Sequence, residues 1–149
     1  MKKIFFTLVC GLLFWPLIAQ NALQAAREHS EQKQYDVSAS LLKTFIDENP
    51  QRKYDVARAW WMQSFNLLHT GELELAREAN DKSLDMRLAL RSGDVAENYL
   101  REAQISLLTN NPSGSLAAVQ QGMQMMIEDP LLYAELNLYA AKALNQLNE

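Results

Sequence analysis

The chain has a single cysteine, Cys10, and it sits in an apolar stretch close to the N-terminus. Beyond that stretch no disulfide and no thiolate ligand can form, which excludes a disulfide-stapled scaffold and cysteine-based zinc sites. Histidine is nearly as scarce, with His29 and His69 the only two. Five glycines and four prolines in 149 residues are too few for a collagen-like or Pro/Gly-rich disordered chain. Positive charge is short as well: 14 basic residues face 18 acidic ones, a net −4. Such a chain lacks the cationic face that displaces counterions from nucleic acid.

A long hydrophobic run occurs once, at the start. Met1-Lys2-Lys3 is followed by apolar sequence from Ile4 to Trp15, then Pro16 and Leu17-Ile18-Ala19. Two lysines, an apolar stretch and a small terminal residue form the pattern of a secretory signal peptide, residues 1–19, with cleavage expected after Ala19. The alternative is an uncleaved membrane anchor through residues 4–19. That stretch is shorter than the ~20 residues a helix needs to span hydrocarbon, and Pro16 interrupts it. Cys10 follows Val9 rather than a small residue and lies inside the apolar run, which argues against lipid attachment there. The expected location is therefore the periplasm or the exterior. The remainder, 20–149, is 130 residues with 12 basic and 18 acidic groups, a balance of −6. Its length suits one domain.

From Asn21 onward strong helix formers dominate, apolar residues recur every three or four positions, and no segment alternates with the period of a half-buried strand. Breaks fall around Gln32–Gln34 and at Asn49-Pro50, Thr70-Gly71, Ser92-Gly93, Asn110-Asn111-Pro112 and Asp129-Pro130. They predict an all-α fold with helices over about 21–31, 35–48, 53–69, 72–91, 94–109, 113–128 and 131–147. Connections this short make successive helices antiparallel neighbours. Small residues recur in step: Ser38 lies 12 residues after Ala26, Ala76 12 after Ser64, and Ala118 12 after Ser106, with Ala140 opening a further set. Constant spacing within pairs and variable spacing between them is what stacked helical hairpins require.

Trp60, Ser64, Gly71, Leu73 and Ala76 match in order the pattern of the tetratricopeptide repeat. So do Ala26, Tyr35, Ser38, Phe45 and Pro50 in a first unit, and Ser106, Ala118, Met125 and Pro130 in a third. The chain from Asn21 to Leu147 thus resembles this family, and the segment from Ala79 to Arg87 resembles its longer variety of roughly 42 residues. The departures are Ala22 and Glu102 at the aromatic place, Lys33 at the turn glycine and Asn-Asn-Pro at the third turn. The resemblance implies a short right-handed α-solenoid: units of about 19–52, 57–91 and 99–130, and a capping helix over 131–147. An ordinary helical bundle with alanine-rich seams is the alternative.

No set of residues suggests catalysis. The two histidines fall on different helices with no Asp, Glu or Cys at ligand spacing beside both, so no metal site is expected. Ser113-Gly114-Ser115 lacks the rest of a phosphate-binding loop, and no Ser, His and acid converge. Neither cofactor nor small-molecule substrate is implied. Glu72, Glu74, Glu78, Asp81 and Asp85, interleaved with Arg77, Lys82 and Arg87, read as a solvated face with i to i+4 pairs. Met123, Met125 and Met126 read as gap-filling core.

In the resembled family the first helix of each unit lines a concave groove. On that register the groove receives Leu23 and Arg27, then Arg58, Trp61, Met62 and Phe65, then Gln104 and Leu107, then Asn137, Leu138 and Ala141. Trp60 is the expected core member of the Trp60-Trp61 pair, so Trp61 is expected to point elsewhere, since neighbours on a helix sit about 100° apart. The implied activity is non-catalytic: an adaptor or scaffold that captures a peptide segment of a protein partner between aromatic anchors and the rim charges Arg27 and Arg58. Packing of Trp61 and Phe65 against the preceding unit is the competing reading. The family's carboxylate-clamp version uses Lys and Asn where Leu23, Arg27, Met62 and Gln104 stand, so partners ending in Glu-Glu-Val-Asp-like sequence are not implied. A self-associating structural or regulatory segment of a larger envelope assembly is the second function considered.

Overall fold

The computed structural model describes residues 21–125 and 129–148; the expected signal segment and Met126 lie outside the described residues. Seven helices and no strand make up the described chain: α1 (residues 21–31), α2 (Tyr35–Glu48), α3 (Lys53–Thr70), α4 (Leu73–Ala89), α5 (Val95–Leu108), α6 (Pro112–Gln124) and α7 (Pro130–Leu147). No helix among them is long and apolar enough to cross a membrane.

The helix ends follow from local chemistry. Pro112 and Pro130 open α6 and α7 because a first-turn proline gives up an N–H that has no helical partner anyway. The residue before each proline caps the helix: Asn111 accepts from the Gly114 N–H and Asp129 from the Leu131 N–H. Four turns share one geometry. Lys33, Gly71, Arg91 and Asn110 all have positive φ. In each turn the next residue's N–H reaches the carbonyl five positions back: Gln34 to His29, Glu72 to Leu67, Ser92 to Arg87, and Asn111 to Ser106. That is a left-handed helix stop, and glycine occupies the left-handed position in only one of the four. The sixth helix ends earlier than its periodicity predicts, since Met125 is already extended.

Helices pack on their chain neighbours, and α5 also touches both α3 and α7. The small residues sit where helices cross: Ala26, Ser38, Ser64, Ala76, Ser106 and Ala118 are all buried, and Ala140 is half-buried. Gly122 marks another close approach, because a Cβ there would lie 3.1 Å from Leu136 and 3.2 Å from Tyr99. The apolar core is concentrated in two clusters. Leu23, Ala26, Leu42, Phe45, Val56, Ala59 and Met62 join α1, α2 and α3, and Leu100, Ala103, Ala118, Val119 and Leu136 join α5, α6 and α7. Met123 packs against the second cluster, as a gap-filler should.

Between the two clusters the α4–α5 seam is polar. Asn80 donates to the Asn98 carbonyl at 3.0 Å, and the Asn98 amide returns bonds to the Asn80 carbonyl and side chain. Arg87 Nη1 donates to Asn98 Oδ1 at 2.9 Å, to the Asp94 carbonyl and to Glu97. A smaller chain, Ser30 to Asn66 to Ser38, ties α1, α3 and α2 together. Unpaired buried polar groups are costly, so these bonds fix which helix faces meet.

Candidate functional site

Two clefts share the Phe65 side chain. The first, about 510 Å³, lies between α1, α3, the end of α4 and the start of α5. It brings together five residues expected to line a groove: Arg27, Arg58, Trp61, Met62 and Phe65. Met62 is largely core and shows the cleft only its edge, at 7% exposure. Trp61 and Phe65 are half-buried and line the cleft; Trp61 packs against the first core cluster and Phe65 against the rings of Tyr35 and His69. The indole Nε1 of Trp61 is buried without a hydrogen-bond partner. Arg58 is exposed, and Arg27 is held by Glu31 at 2.7 Å on the same helix face. An exposed pair of this kind contributes little.

The second cleft, about 410 Å³, is bounded by the end of α3, by α5 and by α7. Gln104 and Leu107 line it with Phe65, Leu68, Leu108, Tyr139 and Lys142. Leu138 lines neither cleft and is half exposed on α7. Leu23 is a correction to the expected groove register: it is 6% exposed and belongs to the first core cluster.

The expected register omits the two arginines that dominate the interior. Arg87 was expected on a solvated face, but it is 4% exposed and points into the α4–α5 seam. Arg101 is 6% exposed on α5. Their guanidinium carbons lie 5.4 and 5.5 Å from the Trp61 ring centroid, and that of Arg101 lies 5.0 Å from Phe65. Cations over aromatic faces are attracted by the ring quadrupole. The two charges are handled differently. Glu97 neutralises Arg87 at 3.0 Å. Arg101 Nη1 donates only to the neutral Gln104 Oε1, its Nε has no partner, and no carboxylate lies within ion-pairing distance among the described residues. Burial pushes the Arg101 guanidinium down to about 10, with Tyr139, Glu97 and Glu135 pulling the other way at longer range; it stays protonated at neutral pH. Burial also holds Glu97 above the ordinary carboxylate value, against the pull of Arg87.

The rest of the acidic run does face solvent, with Lys82 paired to Glu78 at 2.6 Å. Arg77 ties α4 to α5, reaching Glu102 at 3.3 Å and Thr109. His29 is half-buried against Gln34. His69 is exposed, bonds the Phe65 carbonyl and stacks on the Phe65 ring with centroids 4.0 Å apart. Among the described residues no three His, Cys, Asp or Glu side chains converge on a point that could hold a metal. No protein-family model matches the chain, and no curated protein sequence matches it.

Proposed function

We propose that the chain is an exported, non-catalytic binding module: three tetratricopeptide-like hairpins, α1–α2, α3–α4 and α5–α6, in a short right-handed α-solenoid with α7 as its cap. Burial of the paired small residues supports that register, as does the contact of α5 with both α3 and α7. The observation that carries the functional reading is the cleft lined by half-buried Trp61 and Phe65 between α1, α3 and α5. An apolar cleft with aromatic walls and arginines at its edge suits an extended peptide segment of a protein partner. Arg58 is the exposed cation at its rim, and Arg27 becomes available by exchanging Glu31 for a ligand carboxylate.

The test is selection of displayed peptides on the full-length chain, followed by titration of a selected peptide against Trp61→Ala. The variant should bind about 30-fold more weakly, ~2 kcal/mol, in the range of an interfacial hot spot. Unchanged affinity with lowered stability would make Trp61 a packing residue and end the cleft assignment. A self-associating segment is the second reading, and the exposed Leu131, Leu138, Leu144 and Leu147 of α7 favour it. Sizing chromatography across a concentration series separates the two.

A further inference from the structure

The second cleft has a chemistry of its own. Its walls combine Leu68, Leu107 and Leu108 with two cations, Arg101 and Lys142, and contain no carboxylate. In the first cleft Arg27, Arg58 and Arg87 are balanced by Glu31, Asp94 and Glu97. Arg101 is nine-tenths buried with an unpartnered Nε and no ion pair, whereas buried charges in folded proteins are ordinarily paired. Lys142 Nζ rests 4.5 Å from the Tyr139 ring, at the α7 wall of the same cleft. The volume, about 410 Å³, falls in the range of small-ligand pockets.

We propose that the cleft between α3, α5 and α7 binds a carboxylate carried on a short apolar body, with Arg101 and Lys142 meeting the charge and Leu68, Leu107 and Leu108 the body. One guanidinium beside one ammonium matches a monoanion, and a planar guanidinium suits carboxylate geometry. The wall also holds His69, whose Nδ1 is taken by the Phe65 carbonyl, and no third Arg or Lys lines the cleft to favour a phosphate dianion. The buried guanidinium then gains the counter-ion that the fold withholds from it. The carboxylate comes either from a free aliphatic acid or from the end of a peptide chain, since both place a charge beside an apolar group. This site lies beyond the peptide cleft and does not depend on it.

The experiment is a nitrogen–proton NMR titration of the full-length chain, following the Arg101 Nε–H and the Trp61 indole N–H. The probes are 4-methylpentanoate, N-acetyl-leucine and the amide of each. The acids should shift the Arg101 signal saturably, with the amides at least tenfold weaker, the effect of a charge-assisted bond. The tighter acid identifies the source; equal binding means that the site reads the shared chemistry. Arg101→Met should melt at or above the parent temperature and lose acid binding. Lys142→Ala, at an exposed position, should weaken it at least threefold while keeping the fold. Equal binding of acids and amides, silence at tens of millimolar, or full binding by Lys142→Ala or by folded Arg101→Met overturns the proposal. Failure here with Trp61 still responding to a selected peptide leaves the first cleft standing.

Discussion

Replacing Asn98 by alanine tests whether the polar seam holds the two core clusters together. The Asn98 side chain accepts one bond from Arg87 Nη1 at 2.9 Å and donates to the Asn80 carbonyl and side chain at 3.2 and 3.0 Å. A bond to a charged group contributes about 1.5–3 kcal/mol and a neutral one about 1 kcal/mol. Arg87 keeps the Asp94 carbonyl and Glu97, so the lower end applies to it, and the expected loss is ~3 kcal/mol. For a domain of this size that lowers the melting temperature by roughly 10 °C. The assay is urea unfolding followed by far-UV circular dichroism and by tryptophan fluorescence. Trp60 and Trp61, the two tryptophans among the described residues, both lie on α3 and report the first cluster. The probes should coincide in the parent and separate in Asn98→Ala, because the polar seam joins the two core clusters. A loss below ~1 kcal/mol with coincident probes would mean that the polar seam does not hold the two clusters together. A cycle with Asn80→Ala sharpens it: additivity within ~0.5 kcal/mol would mean that the two asparagines do not couple.

Lys33→Gly should stabilise the protein by up to ~1 kcal/mol, since Lys33 holds a φ of 60° that glycine adopts without strain; a lower urea midpoint would contradict the turn geometry. Ala118→Leu should cost ~1–3 kcal/mol by wedging α6 from α5, and unchanged thermal unfolding would show the small-residue register to be misplaced. Glu97 binds its proton more tightly folded than unfolded, so its contribution is fully present below the unfolded value near 4.5 and is lost as pH rises through its higher folded value. Glu97→Gln should remove that decline, so the stability difference between variant and parent should shift in the variant's favour from acid to neutral pH. A difference independent of pH refutes the shift.

The fold was legible because its punctuation is local. Asn-Pro, Asp-Pro and Thr-Gly stop or start helices by backbone chemistry that acts within one turn, and the observed helix boundaries fall close to where these dipeptides put them. Lys33 and Arg91 show the limit, because nothing in a lysine or arginine announces a left-handed residue; only the flanking helices impose it. The first cleft was partly legible for a similar reason. Trp60 and Trp61 are adjacent, and of the two only Trp61 lines the cleft, as helix geometry suggests, although both pack against the first core cluster. The arginines were hidden by a failure of the apolar signal. The buried stripe of α4 runs Ala76, Ala79, Asn80, Ser83, Arg87, which a search for hydrophobic periodicity reads as a solvated face. On α5 the spacing of Asn98, Arg101 and Ile105 does place Arg101 on the buried side, but an arginine scores as surface unless its neighbours are known to be buried. Polar residues become interior when a second helix supplies their partners, as Asn98 does for Arg87. Among the described residues Arg101 receives no such carboxylate, and there it departs from the ordinary rule of pairing buried charge. A stable interior cation without its anion is therefore better explained by what enters the cleft than by what the chain itself provides.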